Sequence, residues 1–136
     1  MMTVDDEQIR RILHETRTIA VVGISPREES DSHRVARYLQ RVGYHIIPVN
    51  PRMTEVLGEP CYPDLASVPE EIDLVDVFRA PGEAPAISRD AVRIGAESLW
   101  LQLGVVSDEA ATIAGGSGLQ VVMDRCIKLE HQRLFG

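Results

Sequence analysis

The feature that most constrains this chain is a rhythm: short apolar runs rich in β-branched residues alternate with stretches of helical period, from residue 18 to the carboxyl end. A run that is apolar on both faces must be buried on both faces. Such a run belongs in a sheet covered by helices, and strands separated by helix-length crossovers pair in parallel. "TIAVVGI" (18–24) is the first run, followed by "YHIIPVNP" (44–51), residues 73–78, "SLWLQL" (98–103) and "LQVVMD" (119–124). The intervening segments read as helices. Asp5 and Asp6 can cap an opening helix with Ile9, Ile12 and Leu13 on one face. Residues 32–42 place Val35, Leu39 and Val42 at i, i+4 and i+7 before the stop at Gly43. Ile87, Ala91 and Ile94 mark a third helix, closed by Gly95. Ser107 caps a fourth with Gly115 and Gly116 as its exit, and residues 127–135 form the last.

With right-handed crossovers, this order gives an α/β chain: one Rossmann-like domain over residues 1–136, with a five-stranded parallel sheet and helices on both faces. A 136-residue chain that is 44% hydrophobic has enough core for one such domain. The absence of a signal-like leader or an apolar run of about 18 residues argues for a cytoplasmic protein without membrane contact. Cys61 and Cys126 have neither C-x-x-C spacing nor a histidine cluster, so no metal site is expected. A formal charge of −7 and no dense lysine or arginine block disfavour nucleic acid. An anionic ligand would need local positive groups.

In parallel sheets of this kind, ligands bind beyond the carboxyl ends of the strands, and phosphate suits the exposed N–H groups of the first helix. Gly23 ends the first run and offers backbone access there, Ser25 adds a hydroxyl, and Ser30, Asp31 or Ser32 starts the helix. On this reading, bulk at Gly23 would abolish ligand binding and leave the fold largely intact. The dinucleotide fingerprint G-x-G-x-x-G is absent, because Ser25 and Glu28 stand where it needs glycine. The second run ends in Val49-Asn50-Pro51-Arg52 rather than in the Asp or Glu that would hold ribose hydroxyls. Arg52, with Arg27 as a second candidate, suits a phosphate on the ribose. Two ligands carry one: a 2′-phosphorylated nicotinamide cofactor and coenzyme A with its 3′-phosphate.

The ordered set "IAVVGIS", "GYHIIPVNP", "IDLVDVFR", "GAESLWLQLG" and "DRCIKLEH" resembles the small free-standing CoA-binding proteins. Their domain is similar to the amino-terminal CoA-binding domain of the succinyl-CoA synthetase α subunit. The resemblance covers residues 18–135 and implies that coenzyme A is the ligand. It implies Gly23, Ile24 and Ser25 at the pyrophosphate and Val49, Asn50 and Pro51 at the adenosine. It also implies Arg79 and Gln102 near the pantetheine arm. The synthetase relative has a glycine-richer first turn, and the domains carrying its catalysis have no counterpart here.

His14, His33, His45 and His131 form no nucleophilic pair in the sequence and read as surface or structural groups. Cys126 reads as a small buried residue, with exchange against the CoA thiol as the alternative. The leading expectation is non-catalytic binding of coenzyme A or a short acyl-CoA. An NADP-dependent oxidoreductase and a degenerate nucleotide site used as an interaction surface are the competing classes.

Overall fold

The computed structural model describes residues 4–136; residues 1–3, included in the expected domain, lie outside it. Helix α1 (Asp6–Glu15) begins with a capping box, in which the Asp5 carboxylate accepts from the Gln8 N–H at 2.8 Å and the Gln8 side chain accepts from the Asp5 N–H at 3.2 Å. It buries Ile9, Ile12 and Leu13, as its period predicts. Strand β1 (Thr18–Val22), helix α2 (Asp31–Arg41) and strand β2 (His45–Val49) follow. Next come the two-residue strands β3 (Glu55–Val56) and β4 (Glu59–Pro60), then β5 (Leu74–Val77), α3 (Ala84–Arg93), β6 (Ser98–Leu101), α4 (Asp108–Gly116), β7 (Gln120–Met123) and α5 (Ile127–Phe135).

The main sheet is parallel with order β2-β1-β5-β6-β7, so the five expected runs are its five strands. The chain steps outward from β1 to β2 and then crosses back to β5 on the other side of β1. Connections therefore leave β1 and β5 in opposite directions, which opens a crevice at their carboxyl ends. One face of the sheet packs Val21, Leu74, Trp100 and Val122 against α1, α2 and α5. The other packs Ala20, Val75, Leu99 and Leu101 against α3 and α4. Burial on both sides is the reason these strands read as continuous apolar runs rather than as alternating ones.

Several local expectations shift. Strand β1 stops at Val22 because Gly23 takes φ +89°, although its N–H still donates to the Val49 carbonyl at 2.9 Å. The cap of α2 is Ser30, which leaves Ser32 inside the first turn. Gly115 and Gly116 end within α4, and the left-handed exit is Gly118, at φ +90°. The polar passage before β5 holds an unforeseen hairpin, β3 with β4. It turns through Leu57 and Gly58, both at positive φ, as a two-residue hairpin turn of primed type requires. Leucine in the left-handed region gives no turn signal in a sequence, and strands of two residues are too short to alternate.

Gly23 matters more to the fold than its sequence reading suggests. A Cβ there would fall well inside contact distance of the Phe78 carbonyl oxygen and 2.6 Å from Arg79 Cδ, so the missing side chain is what lets the first turn lie against the end of β5. The expectation that bulk at Gly23 spares the fold is therefore corrected, since the obstruction is backbone and the φ is one that L-residues avoid. Gly23→Ala is expected to destabilise the chain by at least roughly 2 kcal/mol, seen as a lower urea midpoint at an unchanged slope. An unchanged midpoint would mean that the end of β5 yields without cost.

Candidate functional site

The β1–α2 turn is held largely by its own serines. The Ser25 N–H donates to Ser32 Oγ at 2.9 Å, Ser25 Oγ accepts from the Arg27 N–H at 3.1 Å, and the Ser30 hydroxyl donates to the Arg27 carbonyl at 2.8 Å. His33, buried in the first turn of α2, donates from Nδ1 to the Ser25 carbonyl at 3.0 Å. A carbonyl only accepts, so this contact puts the ring proton on Nδ1. His33 is thus a structural clamp on the loop. The side chain of Ile24 is fully buried, which leaves only its backbone for a ligand. Among the described residues, the Asp31 and Ser32 N–H groups have no acceptor, which leaves two donors at the positive end of α2.

At the end of β2, Asn50 ties two turns together. Its Nδ2 donates to the Ile24 carbonyl at 2.8 Å, its Oδ1 accepts from the Arg52 N–H at 2.9 Å, and its backbone N–H donates to the Tyr62 carbonyl at 2.9 Å. The Cys61 thiol donates to the Asn50 carbonyl at 3.5 Å, and burial pushes that thiol's pKa up. Asn50 therefore spends one side-chain donor and one side-chain acceptor on the fold. Arg52 is exposed, and among the described residues its guanidinium makes no ion pair. Arg27 is paired with Glu29 at 3.1 Å.

Arg79 follows β5 and binds Glu83 Oε1 from Nε at 3.1 Å and from a terminal nitrogen at 2.8 Å, which holds the Glu83 carboxyl below its usual range. Gln102, expected near the pantetheine arm, is buried, and its Oε1 accepts from the Ile127 N–H at 3.1 Å. It supplies the first-turn acceptor of α5 that the N-cap residue Cys126 lacks. Cys126 itself is a partly buried free thiol packed against the core.

Gly23, Val49, Pro51 and Arg79 come together on a cavity of about 210 Å³ at the carboxyl ends of β1, β2 and β5. Ile24, Ser25, Ser32, Asn50, Arg52 and Gln102 do not line it. The remaining wall comes from residues not expected at the site: Val22, Pro63, Asp64, Leu65, Glu83, Ile87 and Asp90. Pro63, Asp64 and Leu65 sit in the aperiodic passage before β5. Their one local signal is an Asp-x-x-Ser cap, in which Asp64 Oδ1 accepts from the Ser67 N–H at 2.9 Å and from its hydroxyl at 2.7 Å. A larger cavity of about 450 Å³ opens among His14, Arg17, His45 and His131. It lies at the amino ends of β1 and β2, away from the crevice and from every expected residue. The smaller cavity is the candidate site because it lies where the sheet's connections part.

The fold and the crevice together define a Rossmann-like α/β domain of the type that receives ligands at its strand ends. Residues 17–132 match the profile of the CoA binding domain, and the chain belongs to that family. The Bacillus subtilis (strain 168) protein YneT is 39% identical over 124 residues, covering 91% of this chain and 92% of its own. A hypothetical protein from Pyrococcus horikoshii OT3 superposes with a TM-score of 0.95 at 41% identity, over 98% of this chain and 94% of its own. The acetate–CoA ligase [ADP-forming] I of Archaeoglobus fulgidus is 36% identical over 58 residues, which is 43% of this chain and 8% of that enzyme. Among the described residues, no helix is long and apolar enough to cross a membrane.

The hydrogen-bonding of Asn50 and the solvent exposure of Arg52 separate the two residues experimentally. Asn50→Ala breaks two side-chain bonds and is expected to cost about 1–3 kcal/mol in urea unfolding, whereas Arg52→Ala is expected to stay within roughly 0.5 kcal/mol of wild type. Equal effects would contradict this division of roles.

Proposed function

We propose that this chain binds coenzyme A or a short acyl-CoA and that binding is its whole activity. The reading is carried by one convergence: Gly23, Val49, Pro51 and Arg79, from three separate segments, meet on one cavity in a chain of the CoA binding domain family. That cavity is smaller than the roughly 300–1,000 Å³ that enclose a drug-sized molecule, so only part of the ligand enters. Its chemistry selects the part. Val22, Val49, Pro51, Leu65 and Ile87 favour a flat apolar ring, while the Asp64 carboxylate opposes phosphate and Glu83 and Asp90 are paired with Arg79 and Arg93. Adenine answers both conditions, being uncharged and carrying an exocyclic amine that can donate to a carboxylate.

The phosphates then belong outside the cavity. The free N–H groups of Asp31 and Ser32 and the hydroxyl proton of Ser25 favour the pyrophosphate at the first turn, where Gly23 and Ile24 contribute backbone alone. Arg52, exposed and without an ion pair among the described residues, is the group for the ribose phosphate. Arg79 stands at the mouth as the positive partner of Glu83, and Gln102, outside the cavity, holds the start of α5. The absence of turnover is supported by the histidine contacts: the ring nitrogens that are bonded meet the Ser25 carbonyl, the Tyr38 hydroxyl and the Glu70 carboxylate rather than a serine or cysteine side chain.

Calorimetric titration with coenzyme A, dephospho-CoA and NADP tests the reading, with coenzyme A expected to bind most tightly. Arg52→Ala is expected to weaken coenzyme A by about tenfold or more and to leave dephospho-CoA almost unchanged, because a charge-assisted bond contributes about 1.5–3 kcal/mol. Equal weakening of both ligands would move Arg52 to the pyrophosphate. Absence of coenzyme A binding to the wild-type chain, or hydrolysis of acetyl-CoA that disappears with one substitution, would overturn the proposal.

A further inference from the structure

Asp76 lies in β5, the central strand of the sheet. It is fully buried, and neither carboxylate oxygen has a hydrogen-bond partner among the described residues. Its neighbours in register are Val21 of β1 and Trp100 of β6, both apolar members of the core that α1, α2 and α5 cover. Trp100 spends its own Nε1–H on the Arg125 carbonyl at 2.8 Å.

The titratable groups brought to this face are committed elsewhere or lie at its edge. His33 of α2 is bonded to the Ser25 carbonyl, and Tyr38 of α2 to His131 of α5 at 2.7 Å. The Tyr44 hydroxyl donates to the Leu13 carbonyl at 2.6 Å, and Glu130 of α5 is paired with Arg125 and Arg133. Lys128 of α5 lies over the Tyr38 ring. Cys61 is bonded to the Asn50 carbonyl, and Cys126 packs against the rim of the core. The charged residues of α1 are exposed, as are Arg34 and Arg41 of α2, and Arg37 is half-exposed. Among the described residues, no cation and no donor compensates Asp76. An ionised carboxylate in such a place is far costlier than the neutral acid.

We propose that Asp76 is a proton-dependent latch at the centre of the sheet: the folded chain holds its carboxyl as the neutral acid, and ionisation loosens β5 from β1 at the strand ends that frame the crevice. Two residues beyond Asp76 is Phe78, whose carbonyl lies against Gly23 and whose N–H donates to the Val22 carbonyl at 2.8 Å. The same β5–β1 contact therefore carries both the acid and the first turn. The latch is a property of the fold and holds whichever ligand the crevice takes.

Burial pushes the Asp76 carboxyl well above the usual carboxylate range. The folded chain thus keeps a proton that the unfolded chain releases above about pH 3.9. The contribution to stability is full below that pH and falls as pH rises towards the folded-state value, by up to about tenfold in the folding constant per pH unit. This is opposite to the trend of a salt-bridged aspartate.

Carbon-13 NMR of the labelled wild-type chain is expected to show the Asp76 carboxyl keeping its protonated shift well above the pH at which ordinary aspartates titrate, and a midpoint near the ordinary value of about 4 would overturn the proposal. Asp76→Asn and Asp76→Val, the second carrying no polar atom, are expected to gain stability relative to wild type as pH rises in urea unfolding. A wild-type pH slope shared by both variants would likewise overturn it. Amide exchange at Gly23 and Phe78, corrected for intrinsic rates and taken relative to the Leu13 amide within α1, separates a latch from a general loss of stability. Protection is expected to fall with pH in the wild type alone, and identical profiles in the variants would refute the link to the crevice.

Discussion

The structure depends on how closely the first turn can approach the central strand. Gly23 sits in the left-handed region, donates to the end of β2, and leaves no side chain against the carbonyl of Phe78 at the end of β5. Three strand ends meet at this one residue. Without that approach, the crevice between outgoing and returning connections would stand open as a gap instead of closing into a cavity with defined walls. The glycine that looks like a place for phosphate is first a place for the backbone of β5. Room for a ligand arises beside it, where Val49, Pro51 and Leu65 form the wall.

Around that contact the chain arranges its polar groups by a consistent rule: those inside serve the fold, and those available to a ligand stand at the edge. Ser32, Asn50, Gln102 and His33 all spend hydrogen-bonding atoms on neighbouring backbone. Each loses water on burial, and an unpaired polar atom there would cost about 1–3 kcal/mol. The side chains left over are guanidinium groups at the surface, which water solvates at little cost until an anion replaces it. Asp76 is the exception to the rule, and for that reason it is the residue whose protonation state matters most to the fold.

The charge distribution also bears on how a chain with a formal charge of −7 would accommodate the acidic ligand proposed above. Several carboxylates are paired away from the crevice. Asp6 and Glu130 bind Arg133, and Glu130 also meets Arg125 at 2.6 Å, which ties α1 to α5 and lowers the pKa of both acids. The exposed Asp6–Arg133 pair adds little stability and Glu130 is buried beside its two guanidinium partners, but these pairs direct negative charge towards partners rather than towards the strand ends. On the coenzyme A reading proposed above, Asp64 on the cavity wall admits a neutral ring and turns phosphate outward, while Glu83 and Asp90 are paired with Arg79 and Arg93.

Five parallel strands and the order of the helices were legible in the residues alone. A strand buried on both faces must be apolar throughout, and a helix against a sheet must repeat every three to four residues; both demands are local and leave a local trace. The cap at Asp5, the cap at Ser107 and the span Ile127–Phe135 were readable for the same reason. The turn of the hairpin was not, because Leu57 adopts its left-handed backbone under the packing of Val56 and Leu57 against the core rather than by its own preference. Nor could the sequence distinguish Gln102, which caps a helix 25 residues away, from a side chain free to meet a ligand. What the sequence by itself determined is the family, the parallel α/β architecture and the segments that reach the strand ends. Which side chains in those segments are spent on the fold, which line the cavity and which acid is entombed was decided only by the tertiary structure, because burial and hydrogen-bond pairing belong to neighbours that the chain brings together in space.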